Sequence, residues 1–170
     1  MGNEILQSLV DLALGIAAPD LQMLTVHIKL GGFNGMGKFR FRRLFIFPRL
    51  FLMAADDGKL LEGLSSNFYG VIDDTVYTAE EGVLSGTTRD FILKLAQQLE
   101  IPVDFSPVRL SDLDKLDEAF ISSTSRSILP VYSIDGIIMK KPVPGPVTRR
   151  LMDKFESELR NGIENLLSIE

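Results

Sequence analysis

The period of apolar and polar positions changes several times along this chain, and each change predicts an element. In "NEILQSLVDLALGIA", residues 3–17, the positions Ile5, Leu6, Leu9, Val10, Ala13 and Ile16 keep a helical spacing. Asn3 can cap that helix and Pro19 stops it. "MLTVHIKL", residues 23–30, alternates instead, which sets Leu24, Val26, Ile28 and Leu30 on one face of a strand. The next 23 residues, "GGFNGMGKFRFRRLFIFPRLFLM", hold four glycines and six of the eleven phenylalanines. The alternation Lys38-Phe39-Arg40-Phe41-Arg42 is strand-like, and Pro48 argues against a central strand in the apolar stretch around it.

From Asp56 the punctuation is regular. "ADDGK" is a turn leading into a short strand that ends at Glu62. "NFYGVI" and "TVYT" are two strands joined by Asp73-Asp74. "RDFILKLAQQLE" is an amphipathic helix with Phe91, Ile92, Leu95, Ala96 and Leu99 inward. "PVDFSPVRL" is extended, and Pro107 assigns it to an edge. "SDLDKLDEAF" predicts a short helix capped by Ser111 that runs into a strand at Ala119–Ser122. "ILPVYSIDGIIMK" is a hairpin turning at Asp135-Gly136, and a final helix starts near Pro146. Strands mixed with helices give an α/β (mixed) fold class.

Composition narrows the chemistry. A chain of 170 residues with 45% hydrophobic content suits one globular domain. The absence of cysteine removes disulfides, thiolate metal sites and thiol nucleophiles, and a single histidine, His27, makes a histidine-based zinc site or triad a poor fit. The net charge of −5 conceals a window from Leu21 to Ala55 that has no acidic residue and six basic ones. Five of these, between Lys38 and Arg49, are interleaved with phenylalanine. That pattern suits RNA or anionic lipid, a solvated basic strand face, or a substitute sequence that exposes apolar surface. The last is favoured, so no nucleic-acid and no membrane partner is expected. No signal for secretion or transit is evident, which leads to an expected cytoplasmic location.

Three stretches carry candidate chemistry. Glu62, with Ser65, Ser66 and Asn67 close by, is either a solvated hairpin carboxylate or a buried one that needs a partner. "LSGTTRD", residues 84–90, opens a helix with a Gly-Thr-Thr turn, which serves equally as a plain cap or as a phosphate cradle. "FISSTSRSILPV", residues 120–131, sets five hydroxyl residues at a strand end, as an anion-gripping loop or as a polar turn.

In order and spacing, "LLEGLSSNFYGV", "VYTA", "GVLSGTTRDFILKLAQQLEIPV", "LDEAFISSTSRSILPV" and "GPVTRRL" resemble the C-terminal half of the class IV (fold-type IV) pyridoxal-phosphate aminotransferases. That family includes the branched-chain and D-amino-acid aminotransferases and aminodeoxychorismate lyase. The resemblance spans about residues 54–155 and implies a chain of two parts: residues 1–53 outside the family pattern, and residues 54–170 as a C-terminal-type domain. It implies pyridoxal 5'-phosphate as cofactor. Glu62 would meet the pyridine nitrogen, Thr87, Thr88 and Thr124 the phosphate, and Thr124 and Ser125 the substrate carboxylate. The implied activity is amino-group transfer between an amino acid and a 2-oxo acid, by a homodimer or by a chain without a partner.

The family also uses a lysine, thirty-odd residues before the glutamate, to hold the cofactor covalently. Lys29 lies 33 residues before Glu62, but the sequence after it departs from the family's, and Lys38 is too close. No catalytic lysine is therefore assigned. The expectation is a truncated form that lacks the small N-terminal domain and the lysine motif on which turnover depends. The alternatives are an aminodeoxychorismate-lyase-like enzyme and a catalytically dead remnant that pairs with a full-length subunit.

Overall fold

A computed structural model describes residues 24–30 and 50–167, with side chains from 51 to 162. The helix expected at 3–17 and the basic stretch at 38–42 lie outside the described residues. Nine strands form one sheet: β1 (Leu24–Leu30), β2 (Leu50–Ala54), β3 (Leu60–Gly63), β4 (Ser66–Ile72), β5 (Thr75–Tyr77), β6 (Val103–Asp104), β7 (Glu118–Ser123), β8 (Ser127–Ile134) and β9 (Ile137–Ile138). Two α-helices, α1 (Thr87–Gln98) and α2 (Pro146–Leu167), and a 3-10 helix at Leu110–Lys115 complete the described residues. Among these residues no helix is long and apolar enough to cross a membrane.

The sheet order is β3-β2-β1-β8-β7-β4-β5-β6, and β3 also pairs with β4. That extra pairing closes β3, β2, β1, β8, β7 and β4 into a ring, with β5 and β6 continuing outward as a tail. β1 runs parallel to both β2 and β8, while β2–β3, β3–β4, β4–β7 and β7–β8 are antiparallel. Strands from both sides of residue 53 therefore share one sheet. Closure leaves the strands of the ring without a free edge.

Alternation along each strand divides the apolar residues into two cores. Leu52, Ala54, Leu60, Phe68, Ala119, Ile121, Val131 and Ile134 fill the inside of the ring with Val108, Leu113 and Leu116. Tyr69, Val71, Phe120 and Ile128 face outward under α1 and α2, against Ile92, Leu95, Ala96, Val147, Leu151 and Phe155. The residues expected inward on α1 divide: Ile92, Leu95 and Ala96 are buried, while Phe91 and Leu99 pack at the margin of this core.

Two hairpins turn where the sequence requires it. Asp73 and Asp74 have φ of 47° and 59°, and Asp135 and Gly136 have φ of 47° and 86°, the paired left-handed conformations of a type I′ turn. Two expectations are corrected. β2, described from Leu50 onward, lies inside the sheet between β1 and β3, so the apolar stretch does hold a central strand, while Pro48 itself lies outside the described residues. The segment before β7 is a 3-10 helix that begins after Arg109 without a side-chain cap, and Ser111 falls within it.

Candidate functional site

Glu62 faces the site because β3 carries an extra residue. Ala54 pairs with Leu60 and Leu52 with Gly63, so three steps on β3 match two on β2. Leu60 contributes to the inner core, and without the bulge Glu62 would follow it inward on the same alternation. The bulge instead lets Glu62 pair with Asn67, whose position alternates with the inward Phe68. The carboxylate is thereby delivered to the outer, helix-bearing side of the ring, where it is 9% exposed.

One oxygen of this carboxylate is well held. Glu62 Oε2 accepts from the backbone amide of Leu84 at 3.0 Å and from Asn67 Nδ2 at 3.4 Å. Asn67 Nδ2 also donates to the Leu84 carbonyl at 3.0 Å, so the β3–β4 hairpin and the loop before α1 are stitched together. Oε1 accepts no hydrogen bond from the described residues. A carboxylate removed from most solvent, with one oxygen free, is poised to receive a further donor.

The start of α1 lies two residues beyond Leu84. Gly86 is the cap residue, with extended backbone and no side chain to bond the first turn. The first helical bond runs from the Asp90 amide to the Gly86 carbonyl, which leaves the amides of Thr87, Thr88 and Arg89 ahead of the intrahelical ladder. Thr88 Oγ1 lies 3.4 Å from Thr124 Oγ1, which brings the loop after β7 against this helix end. Thr87 and Thr124 are exposed and Thr88 is half-buried, so the hydroxyls are reachable from outside. Uncapped amides, the positive end of the helix and two adjacent hydroxyls make a set of donors suited to a phosphate.

The structure thus brings Glu62, Thr88 and Thr124 to one side of the ring, with Thr87 at the adjoining helix start. Ser125 lies in the exposed turn after Thr124, its Oγ 3.5 Å from Ser123 Oγ. Strand pairing brings the Glu62 hairpin and the hydroxyl loop after β7 together, since Asn67 is in register with Glu62 on β3 and with Ser122 on β7, and Leu84 and Thr88 attach the helix start to both. Beneath them Tyr69 stacks on Phe120 and shares a 3.1 Å hydrogen bond with Ser122, and burial pushes its phenol up to about 12. It remains a neutral hydroxyl at ordinary pH. Sequence reasoning assigned no role to the Leu84 amide or the Tyr69–Ser122 pair, since both act through distant partners.

Comparison with known proteins decides the family. The model for amino-transferase class IV matches residues 48–134. The chain belongs to this family. A probable branched-chain-amino-acid aminotransferase of Thermotoga maritima is 36% identical over 115 residues, covering 66% of this chain and 42% of that protein. A D-alanine aminotransferase of Bacillus licheniformis is 30% identical over 148 residues, covering 85% of this chain and 51% of that protein. Among solved structures, the branched-chain amino acid aminotransferase of Thermobaculum terrenum in its PLP form superposes with a TM-score of 0.63. It is 32% identical, and the match covers 66% of this chain and 38% of that one. The Escherichia coli branched-chain enzyme gives 0.59 at 35% identity, over 62% of this chain and 37% of its own. The chain thus spans from about a third to half the length of these class IV aminotransferase relatives.

Proposed function

We propose that this chain forms the cofactor-binding part of a pyridoxal-phosphate-dependent aminotransferase that takes an amino acid and a 2-oxo acid as substrates. The observation that carries the reading is the buried Glu62 carboxylate, with Oε1 free, beside the uncapped start of α1. These groups fit the two ends of the cofactor. Glu62 is the acceptor for its pyridine nitrogen and holds a proton there. The amides of Thr87 and Thr88, with the hydroxyls of Thr88 and Thr124, hold its phosphate. Thr124 and Ser125 meet the substrate carboxylate at the rim of the same loop. When bound, the cofactor supplies a ring that withdraws electrons from the substrate's α-carbon, and a proton kept on the nitrogen by Glu62 strengthens that withdrawal.

Lys29 is the candidate for covalent attachment. It pairs in register with Met53 on β2, whose next neighbour across the sheet is the β3 bulge that presents Glu62. The Bacillus licheniformis match supports including this strand, because the 15% of the chain left outside it is too short to hold residues 1–29. The proposed assembly is a homodimer, a state in which subunits can complete one another's sites.

The test is to add pyridoxal phosphate to the purified chain, reduce with borohydride, digest and locate the modified lysine by mass spectrometry. The reading expects a pyridoxyl group on Lys29 that is absent from Lys29→Ala. Cofactor lost on dialysis, with no lysine modified, would refute it. Modification confined to other lysines would refute the assignment of Lys29.

A further inference from the structure

Arg89 is the third residue of α1, and its placement is unfavourable in two ways. A cation in the first turn of a helix opposes the macrodipole. The residue is also 6% exposed, its Nε is buried without a hydrogen-bond partner, and it makes no ion pair with a carboxylate among the described residues. A buried, unpaired charge is expensive, so stability alone does not account for it.

The contacts that the guanidinium does make are specific. One terminal nitrogen, Nη2, donates to the Ala79 carbonyl at 2.9 Å, and the group lies 5.8 Å above the Phe105 ring. Ala79 is buried at the start of the loop that follows β5, and Gly86 ends that loop at the helix. Arg89 therefore ties the first residues of the loop to the helix at its far end. Between these two anchors lies Leu84, whose amide and carbonyl hold Glu62 and Asn67, although its own side chain is 76% exposed. No apolar packing of Leu84 fixes this stretch.

We infer that Arg89 is a positioning residue: it closes the 79–86 loop so that the Leu84 amide stays on the Glu62 carboxylate and the start of α1 stays open toward the same side. Its consequence for cofactor binding rests on the reading of Glu62 proposed above, while the latch itself can be observed without cofactor.

Amide hydrogen exchange measures it directly. Arg89→Met keeps an apolar stem in the core and removes the bond to Ala79. In this variant the Leu84 amide is expected to exchange at least about tenfold faster, a difference of about 1.4 kcal/mol. Amides of Tyr69 and Ile121 in β4 and β7 should keep their protection. Affinity for pyridoxal phosphate should fall by a similar factor, and Arg89→Lys, which can still donate to Ala79, should recover part of both. Unchanged Leu84 exchange in a folded Arg89→Met would overturn the latch, even if cofactor affinity fell. Should Arg89→Met fail to fold, Arg89→Lys is compared with the parent. Faster Leu84 exchange than in the parent then supports the latch, and unchanged exchange sinks it. If the parent chain binds no pyridoxal phosphate but Leu84 still responds, the cofactor reading fails and the latch stands.

Discussion

Glu118 and Glu62 are both buried carboxylates close to the beginning of a helix, and the surroundings of the two differ in what they leave open. Glu118 accepts from the amides of Val147 at 3.1 Å and Thr148 at 2.9 Å, one on each oxygen, and Lys141 approaches to 4.0 Å. Pro146, the first residue of α2, has no N–H to offer, so the first two amides of that helix are consumed by one side chain. Gly145 packs so closely that an added Cβ would overlap Glu118 Cδ. At α1 the corresponding position is Gly86, with no cap and no contact nearer than 3.9 Å to an added Cβ. Glu62 accepts from Leu84, outside the helix, and keeps one oxygen unused among the described residues. A saturated helix end holds the fold together, whereas an open one with a half-satisfied acid beside it leaves donors and an acceptor to spare, as the proposed cofactor site requires.

Substitutions can break this contrast from either side. Glu118→Ala should have the largest effect, a loss of about 3 kcal/mol in urea unfolding, because it strands two buried amides. Gly145→Ala drives a methyl into the same carboxylate and should cost about 2 kcal/mol by overpacking, read in the same unfolding experiment. Glu62→Gln keeps an acceptor for Leu84, so its stability should change by less than about 1 kcal/mol. Its affinity for pyridoxal phosphate, measured by equilibrium dialysis, should nevertheless fall about tenfold, or about 1.4 kcal/mol. Gly86→Asp makes α1 resemble α2 by supplying the missing cap. It should raise stability by about 0.5 kcal/mol while weakening phosphate binding, since a carboxylate then competes for the same amides.

Much of the fold could be read locally. The Asp73-Asp74 and Asp135-Gly136 turns, the apolar face of α1 and the start of α2 each follow from a few adjacent residues. Features that depend on distant pairing could not be read in this way. The closure of β3 onto β4 within a ring and the one-residue bulge that turns Glu62 outward are set by register between strands. Pro48 illustrates the limit: a proline argues only against its own place in a ladder, and Leu50–Ala54 close behind it still form an interior strand. The candidate site shows the same division. Glu62, Thr88 and Thr124 were legible as residue types in a family's order, and the structure places them on one side of the ring. Arg89 could be read as part of a motif, but its bond to Ala79 connects the ends of a loop with no periodic signal. Glu118 carries no local signal, because a lone acid before an apolar strand does not reveal that a helix about thirty residues on begins against it.

In the proposed function the open end of α1 and Glu62 together form the cofactor's site. Phosphorus NMR of pyridoxal phosphate added to the chain tests it most directly, because the free phosphate changes charge near about pH 6. The expected result is a bound resonance that stays dianionic and does not titrate across that range, and that is lost in Gly86→Asp. A resonance that titrates as it does in buffer, with the same affinity in the parent chain and in Gly86→Asp, would contradict it.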